Sequence, residues 1–377
     1  MTIKINPFVT YGYESAEYFC DRKKECEQLT RLLTNGNNVA LISPRRMGKT
    51  GLLHHCFNQE AVSKNYNTFL VDIYATKNMS DMVYQMGQVI VRGLRPWGQK
   101  AIDKFLNIVT SLRTGISLDG MGNASWNLEI GEIKRPVFTL EEIFSYLRQA
   151  ERPCIVAIDE FQAISSYPEA NAEAMLRGLV QECRNAVFVF SGSQRHIMNE
   201  MFSSPARPFY QSVSVMNLPP IALDEYVKFA RHHFEANGKK IDDGVVEMIY
   251  DRFDATTWYV QKMLNELYSL TPEGSQCQLE MVDMALEQIL GSYTQTYQDM
   301  LIQMSVKQAS LLRAIGQEGK ASQITGSKFI KAHHLDSASS VQKVSKVLLD
   351  KQIITQNGGV YEIYDKFMSL WLKKQAL

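Results

Sequence analysis

The chain runs to 377 residues, 45% of them apolar and 21% charged, and its forty Lys and Arg balance forty Asp and Glu. That neutrality excludes a global field drawing it to nucleic acid or to a membrane surface, so any such partner must meet a local patch. The length predicts two or three domains, and no segment is apolar enough for a signal peptide or a membrane span, which reads as a cytoplasmic protein without a membrane partner.

The first element is a helix. Asp21 to about Leu33 (DRKKECEQLTRLL) sets Cys26, Leu29, Leu32 and Leu33 on one face behind an aspartate expected to cap it. A short apolar run, Val39 to Ile42, then reads as a strand buried on both faces, and Leu52, Leu53 and Phe57 recur at helical spacing after it. Between strand and helix stands SPRRMGKTG, Ser43 to Gly51. This is the context and the spacing of a phosphate-binding loop, whose backbone N–H groups and helix N-terminus meet negative charge. Ser43, Pro44, Arg45, Arg46, Met47, Gly48, Lys49, Thr50 and Gly51 are therefore nucleotide-binding candidates. Lys49 is expected to reach the β- and γ-phosphates and Thr50 to place its hydroxyl on Mg2+. Gly48 lets the backbone approach closely. Ser43 stands where such loops begin with glycine, and Pro44 biases it toward extended backbone, which serine adopts without strain.

A second strand is expected at Phe69 to Ile73, ended by Asp72. Across GISLDGMGNASWNLEIGEI, Ile116 and Leu118, then Trp126, Leu128 and Ile130, alternate around a Gly-rich middle, which signals a hairpin inserted near 115–131. CIVAIDEFQAI, Cys154 to Ile164, is an apolar strand ending on two acids. In a phosphate-loop ATPase Asp159 holds the metal and Glu160 is the general base for the attacking water. Such a pair stops where a parallel strand stops, at the ligand-binding edge of the sheet. AVFVFSGSQ, Ala186 to Gln194, is a further strand. If it lies between the other two, Ser193 or Gln194 faces the γ-phosphate; a merely hydrophilic loop is the alternative.

Amphipathic helices follow from about Leu223 to Tyr297. The tail then reads helix, helix, helix, hairpin, with Val341, Val344, Val347 and Leu348 inward on the third helix and a turn at Asn357-Gly358-Gly359. That order fits a winged helix. From Leu301 to Leu377 there are eleven Lys and Arg against five acids. Lys328, Lys331, Lys343 and Lys346 suit DNA phosphates, with docking on a protein surface the equal alternative.

Six cysteines, Cys20, Cys26, Cys56, Cys154, Cys183 and Cys277, lack CxxC spacing and are expected reduced and unligated. The histidine pairs His54/His55, His232/His233 and His333/His334 read as structural, since helical neighbours point about 100° apart and do not converge on one ion.

Together YFCDRKKECEQL, SPRRMGKT, IDEFQ and YEIYDKFMSLWL resemble the archaeal-type AAA+ ATPases, relatives of the STAND signalling NTPases, over nearly the whole chain. The resemblance implies an α/β phosphate-loop parallel sheet flanked by helices, of the additional-strand class, followed by an α-helical lid and a C-terminal winged helix. On that basis the domains are expected at 1–220, 221–297 and 298–377. The loop and the acid pair predict ATP and Mg2+ as cofactors and ATP/ADP as ligands, and leave open whether a nucleotide-dependent homo-oligomer forms. Arg22 is the match to the arginine of the family's opening box, where Asp21 replaces glycine. The family's Pro-Leu-Tyr-Gly-Arg segment is only RPFYQS here, with Ser212 in place of the arginine and Arg207 close enough to substitute. The lid's Gly-x-Pro is TTWY, Thr256 to Tyr259. The expected function is a slow ATPase switch; the other readings are a DNA-binding regulator or an interaction scaffold in which ATP is only a ligand.

Overall fold

The computed structural model of the chain describes residues 6–118, 124–126, 133 and 135–375. The chain divides into two compact units, residues 1–232 with 255–262, and residues 233–254 with 263–377.

In the first unit lie β1 (Val39–Ile42), β2 (Asn67–Asp72), β3 (Ile116–Leu118), β4 (Ala124–Trp126), β5 (Cys154–Asp159), β6 (Ala186–Gly192) and β7 (Ser214–Asn217). Five of them form a parallel sheet in the order β2-β5-β6-β1-β7. The runs in β1, β5 and β6 carry no alternation because all their residues are buried between two layers of helices. Ala40, Ile42, Val156, Ile158, Phe188 and Phe190 face one core, with the helices Met79–Leu94 and Pro136–Gln149. Val39, Leu41, Ile155, Ala157, Val187 and Val189 face the other, with the helices Lys23–Thr34 and Lys49–Phe57. β3 and β4 pair antiparallel, Ile116 opposite Trp126; Leu128 and Ile130 lie outside the described residues.

The opening helix, Lys23–Thr34, buries Cys26, Leu29 and Leu33 as its pattern requires, but Asp21 does not cap it. Asp21 and Arg22 take left-handed backbone, φ 49° and 67°, and no side chain caps the first turn. The bend turns Arg22 inward, where it is 1% exposed and bonded to Glu25 and to main-chain carbonyls. Asp72 ends β2 and accepts the Tyr74 N–H at 2.8 Å, while burial raises its carboxyl above the usual range. All six cysteines are free and buried. His55 hydrogen-bonds the Tyr13 hydroxyl at 3.0 Å and stacks on Phe19.

The second unit holds a two-residue parallel pair, β8 (Lys240–Ile241) with β9 (Gln276–Cys277), and a C-terminal module built from residues the sequence marks well. Ser305 and Gln308 form a capping box on the helix Val306–Glu318. β10 (Ala321–Ser322), β11 (Ile354–Asn357) and β12 (Val360–Ile363) make an antiparallel sheet in the order β10-β12-β11. Asn357 pairs with Val360, so Gly358 and Gly359, at φ 55° and 83°, form the two-residue turn that needs left-handed backbone twice. Between them lie the helices Ser327–Ala332 and Ala338–Asp350. On the latter Val341 and Leu348 are buried, but Val347 is 38% exposed and Ser345 is buried. The buried face thus runs 341, 345, 348, as a 3.6-residue repeat dictates, and Val347 falls outside it. Asp365 caps the last helix, Lys366–Lys374, whose Trp371 donates its indole N–H to Thr294 at 3.2 Å. No described helix is long and apolar enough to cross a membrane.

Candidate functional site

The sheet order brings three strand ends together. β6 lies between β1 and β5, so the loop after β1 meets the tip of β6, and that tip meets Asp159 and Glu160. Ser43 extends the pairing by one residue: its N–H donates to the Gly192 carbonyl at 3.3 Å, it is 1% exposed, and its φ is not left-handed. The turn is made further on, at Arg46 (φ 68°) and Gly48 (φ 88°). Serine therefore costs nothing where a glycine is usual, since the positive φ that glycine supplies is used elsewhere.

Protein contacts hold the curl of the loop. Arg22 Nη2 donates to the Met47 carbonyl at 3.0 Å, and Thr257 Oγ1 donates to the same carbonyl at 3.2 Å. Trp258 N–H donates to the Arg46 carbonyl at 3.0 Å. The Arg46 guanidinium lies 4.5 Å from the centre of the Trp258 ring and 4.8 Å from that of Tyr259, whose hydroxyl it also bonds. Arg45 reaches the other way, donating to Ser193 Oγ at 3.3 Å beside the Tyr74 ring.

A cavity of about 280 Å³ opens over the loop, walled by parts of the segment Val9–Arg22, by Arg45–Gly51, Glu160 and Ile221, and by Thr257, Trp258 and Gln261. At its floor Thr50 Oγ1 donates to Asp159 Oδ2 at 2.6 Å, and Lys49 Nζ stands 3.9 Å from Glu160 Oε1. Burial pushes the Lys49 ammonium below the usual lysine value, with Glu160 and Asp159 opposing that shift. A buried ammonium facing an open cavity suits a polyanion. The hydroxyl of Thr50 and the carboxylate of Asp159 are adjacent hard oxygen donors, and they fit Mg2+, which takes few protein ligands and keeps waters and phosphate oxygens.

Glu160 has left-handed backbone, φ 54°, and its Oε2 accepts from Ser193 Oγ at 2.6 Å and from Gln162 Nε2 at 2.5 Å. Phe161, fully buried against Phe190 at 4.6 Å and Phe209 at 5.5 Å, anchors the turn between the two acceptor and donor residues.

Of the residues expected here, Arg22, Arg45 to Gly51 and Glu160 line the cavity, and Asp159 and Ser193 stand behind it through Thr50 and Glu160. Ser43 and Pro44 form the base of the loop and do not line it. Gln194 takes the cap position ahead of the helix Arg195–Ser203, and no hydrogen bond links its side chain to Glu160. Arg207 is engaged by Glu173 at 2.7 Å and Glu200 at 3.6 Å and does not line the cavity. Sequence reasoning missed Gln162, Trp258 and Tyr259. Gln162 ends the Asp-Glu-Phe-Gln tetrad without a role read for it, and the aromatic pair stands where the resemblance leads one to expect Gly-x-Pro.

Residues 295–374 match the family model of a probable winged helix domain. Among curated proteins the sequence has no match. The structure is similar to the Walker-type ATPase of Pyrococcus abyssi, with TM-score 0.66 and 17% identity over 97% of this chain and 99% of that one. It is also similar to the Aeropyrum pernix ORC2 protein in its ADP form, with TM-score 0.55 and 13% identity over 98% and 97% of the two chains. The Aeropyrum pernix ORC1 protein in complex with DNA gives TM-score 0.52 and 13% identity over 95% and 93%. These identities speak to architecture alone: the chain shares the fold of these proteins, here a parallel sheet flanked by helices, ending in a winged helix.

Proposed function

We propose that the protein binds ATP with Mg2+ and hydrolyses it slowly, using the nucleotide state as a conformational switch. The observation that carries this reading is the pairing of Thr50 with Asp159 at 2.6 Å beside Lys49 and Glu160 at 3.9 Å. A metal ion held by Thr50 and Asp159 would neutralise phosphate charge. Lys49 binds the β- and γ-phosphate oxygens, and Glu160 orients a water and accepts its proton as it attacks. Similarity in fold to the Walker-type ATPase of Pyrococcus abyssi supports the reading.

Slow turnover follows from the arginines. An arginine placed on the γ-phosphate is worth about three to five powers of ten in rate, and Arg207 is committed to Glu173 and Glu200.

The test is turnover in purified Glu160→Gln and Lys49→Ala proteins. Glu160→Gln is expected to keep ATP affinity and lose hydrolysis, and Lys49→Ala to lose affinity; full turnover in Glu160→Gln counts decisively against the reading. A thermal shift with nucleotide separates a working pocket from a scaffold with a dead one, since ligand at a hundredfold excess over Kd adds about 2.7 kcal/mol.

A second reading, DNA binding through the winged helix, is favoured by the exposure of Lys328, Lys331, Lys343 and Lys346. One neighbour in fold, the Aeropyrum pernix ORC1 protein, is in complex with DNA. Binding to duplex that weakens with salt and survives Glu160→Gln would support it; no shift with any duplex at low salt would end it.

A further inference from the structure

We infer that Gln162 is the positioning residue for the Glu160 carboxylate, an assignment that rests on the ATPase reading above. Gln162 is 4% exposed, and both ends of its amide are used. Nε2 donates to Glu160 Oε2 at 2.5 Å and to Ser193 Oγ at 3.4 Å, while Oε1 accepts the Ser193 N–H at 3.3 Å. Flipping the amide would set its oxygen against the carboxylate and its NH2 against a main-chain N–H. One orientation is therefore locked. Gly192 makes the room, since a Cβ there would lie 2.5 Å from Gln162 Oε1.

Ser193 is the weaker half of this hold. Its hydroxyl has a single proton, and Arg45 Nε and Gln162 Nε2 both donate to its oxygen, so that proton goes to Glu160 Oε2 at 2.6 Å. A γ-phosphate oxygen, like a carboxylate, only accepts. Ser193 can serve the phosphate or Glu160, not both. When it turns to the phosphate, the Gln162 amide is what keeps Glu160 from swinging onto Lys49, which stands 3.9 Å from the other carboxylate oxygen. Gln162 touches neither substrate nor water in this scheme; it fixes the direction of the group that does.

The experiment uses the full chain with MgATP and compares wild type, Gln162→Met (equal length, no donor), Gln162→Asn (polar, one methylene short), Ser193→Ala, Glu160→Gln and the Gln162→Met/Glu160→Gln double variant. Steady-state kcat, Kd for ATP and melting temperature are measured for each. Both Gln162 variants are expected to lose about ten- to hundredfold in kcat with Kd held within about twofold, a split that a loss of packing does not produce. Ser193→Ala should lose less. The double variant should be no slower than Glu160→Gln alone, because residues acting as one unit are not additive. Unchanged kcat in both Gln162 variants, a Kd that weakens in step with kcat, or additive losses in the double variant would overturn the assignment. Full turnover in Glu160→Gln would instead remove the ATPase reading itself, so the two failures are distinct. Gln162→Asn keeps the test open if Gln162→Met melts at the assay temperature.

Discussion

Trp258 donates its main-chain N–H to the carbonyl of Arg46 across 3.0 Å, and the Arg46 guanidinium lies 4.5 Å from the centre of the Trp258 ring. One loop residue is gripped twice by the start of a single helix. Arg46 also has left-handed backbone, φ 68°, a conformation that costs energy in a non-glycine residue unless its surroundings enforce it.

Arg46→Gly keeps that backbone conformation and removes the guanidinium. The stack and the bond to Tyr259 are worth about 1–2 kcal/mol for a partly desolvated pair. The variant is expected to melt at a lower temperature and to bind ATP several-fold more weakly. Equal ATP affinity would show that the clamp does not shape the loop.

Ser43→Gly restores the residue that such loops usually carry at this place. Because Ser43 is not in left-handed backbone, ATP affinity and turnover should stay within about twofold of wild type. The added freedom of the unfolded chain should lower stability by about 0.4–1 kcal/mol. A large gain in affinity would mean that the loop pays for its serine.

Gly192→Ala should reproduce the turnover defect of the Gln162 variants, since the new methyl displaces the Gln162 carbonyl oxygen and also meets Met198. Overpacking of this kind costs about 1–3 kcal/mol, so melting temperature and kcat should fall together. A normal kcat in a destabilised protein would separate packing at β6 from the orientation of Glu160.

In the second unit, Asp254 sits between Lys320 at 3.3 Å and Lys366. Burial raises its carboxyl, but the two lysines outweigh it and hold the group below its ordinary 3.8. A carboxylate depressed in the folded state stabilises above its unfolded value and loses that contribution as pH falls through the folded one. Asp254→Asn is therefore expected to be less stable than wild type at pH 7, by under about 1 kcal/mol because the pair is half exposed and screened. The gap should close below pH 3.8. Parallel unfolding curves at pH 7 and in acid would check it, and a gap that persists in acid would contradict the assignment.

The spacing of SPRRMGKT, the apolar runs around it and the Asp159-Glu160 pair at a strand end are local features, and strand, loop, helix and acid pair all follow from them by residue type and period. The hairpin at Gly358-Gly359 is legible for the same reason: its turn acts within a few residues of its own position. What a side chain meets across the fold is not written in its neighbours. Only the tertiary structure set β6 between β1 and β5, turned Arg22 inward so that Asp21 lost its cap, committed Arg207 to Glu173 and put Val347 outside the buried face. The same packing joined Gln162, Glu160 and Ser193, thirty-three residues apart at their widest, into one hydrogen-bonded group. Hydrogen-bond direction and helical phase decide such contacts, and both are fixed when the sheet assembles and its helices close over it.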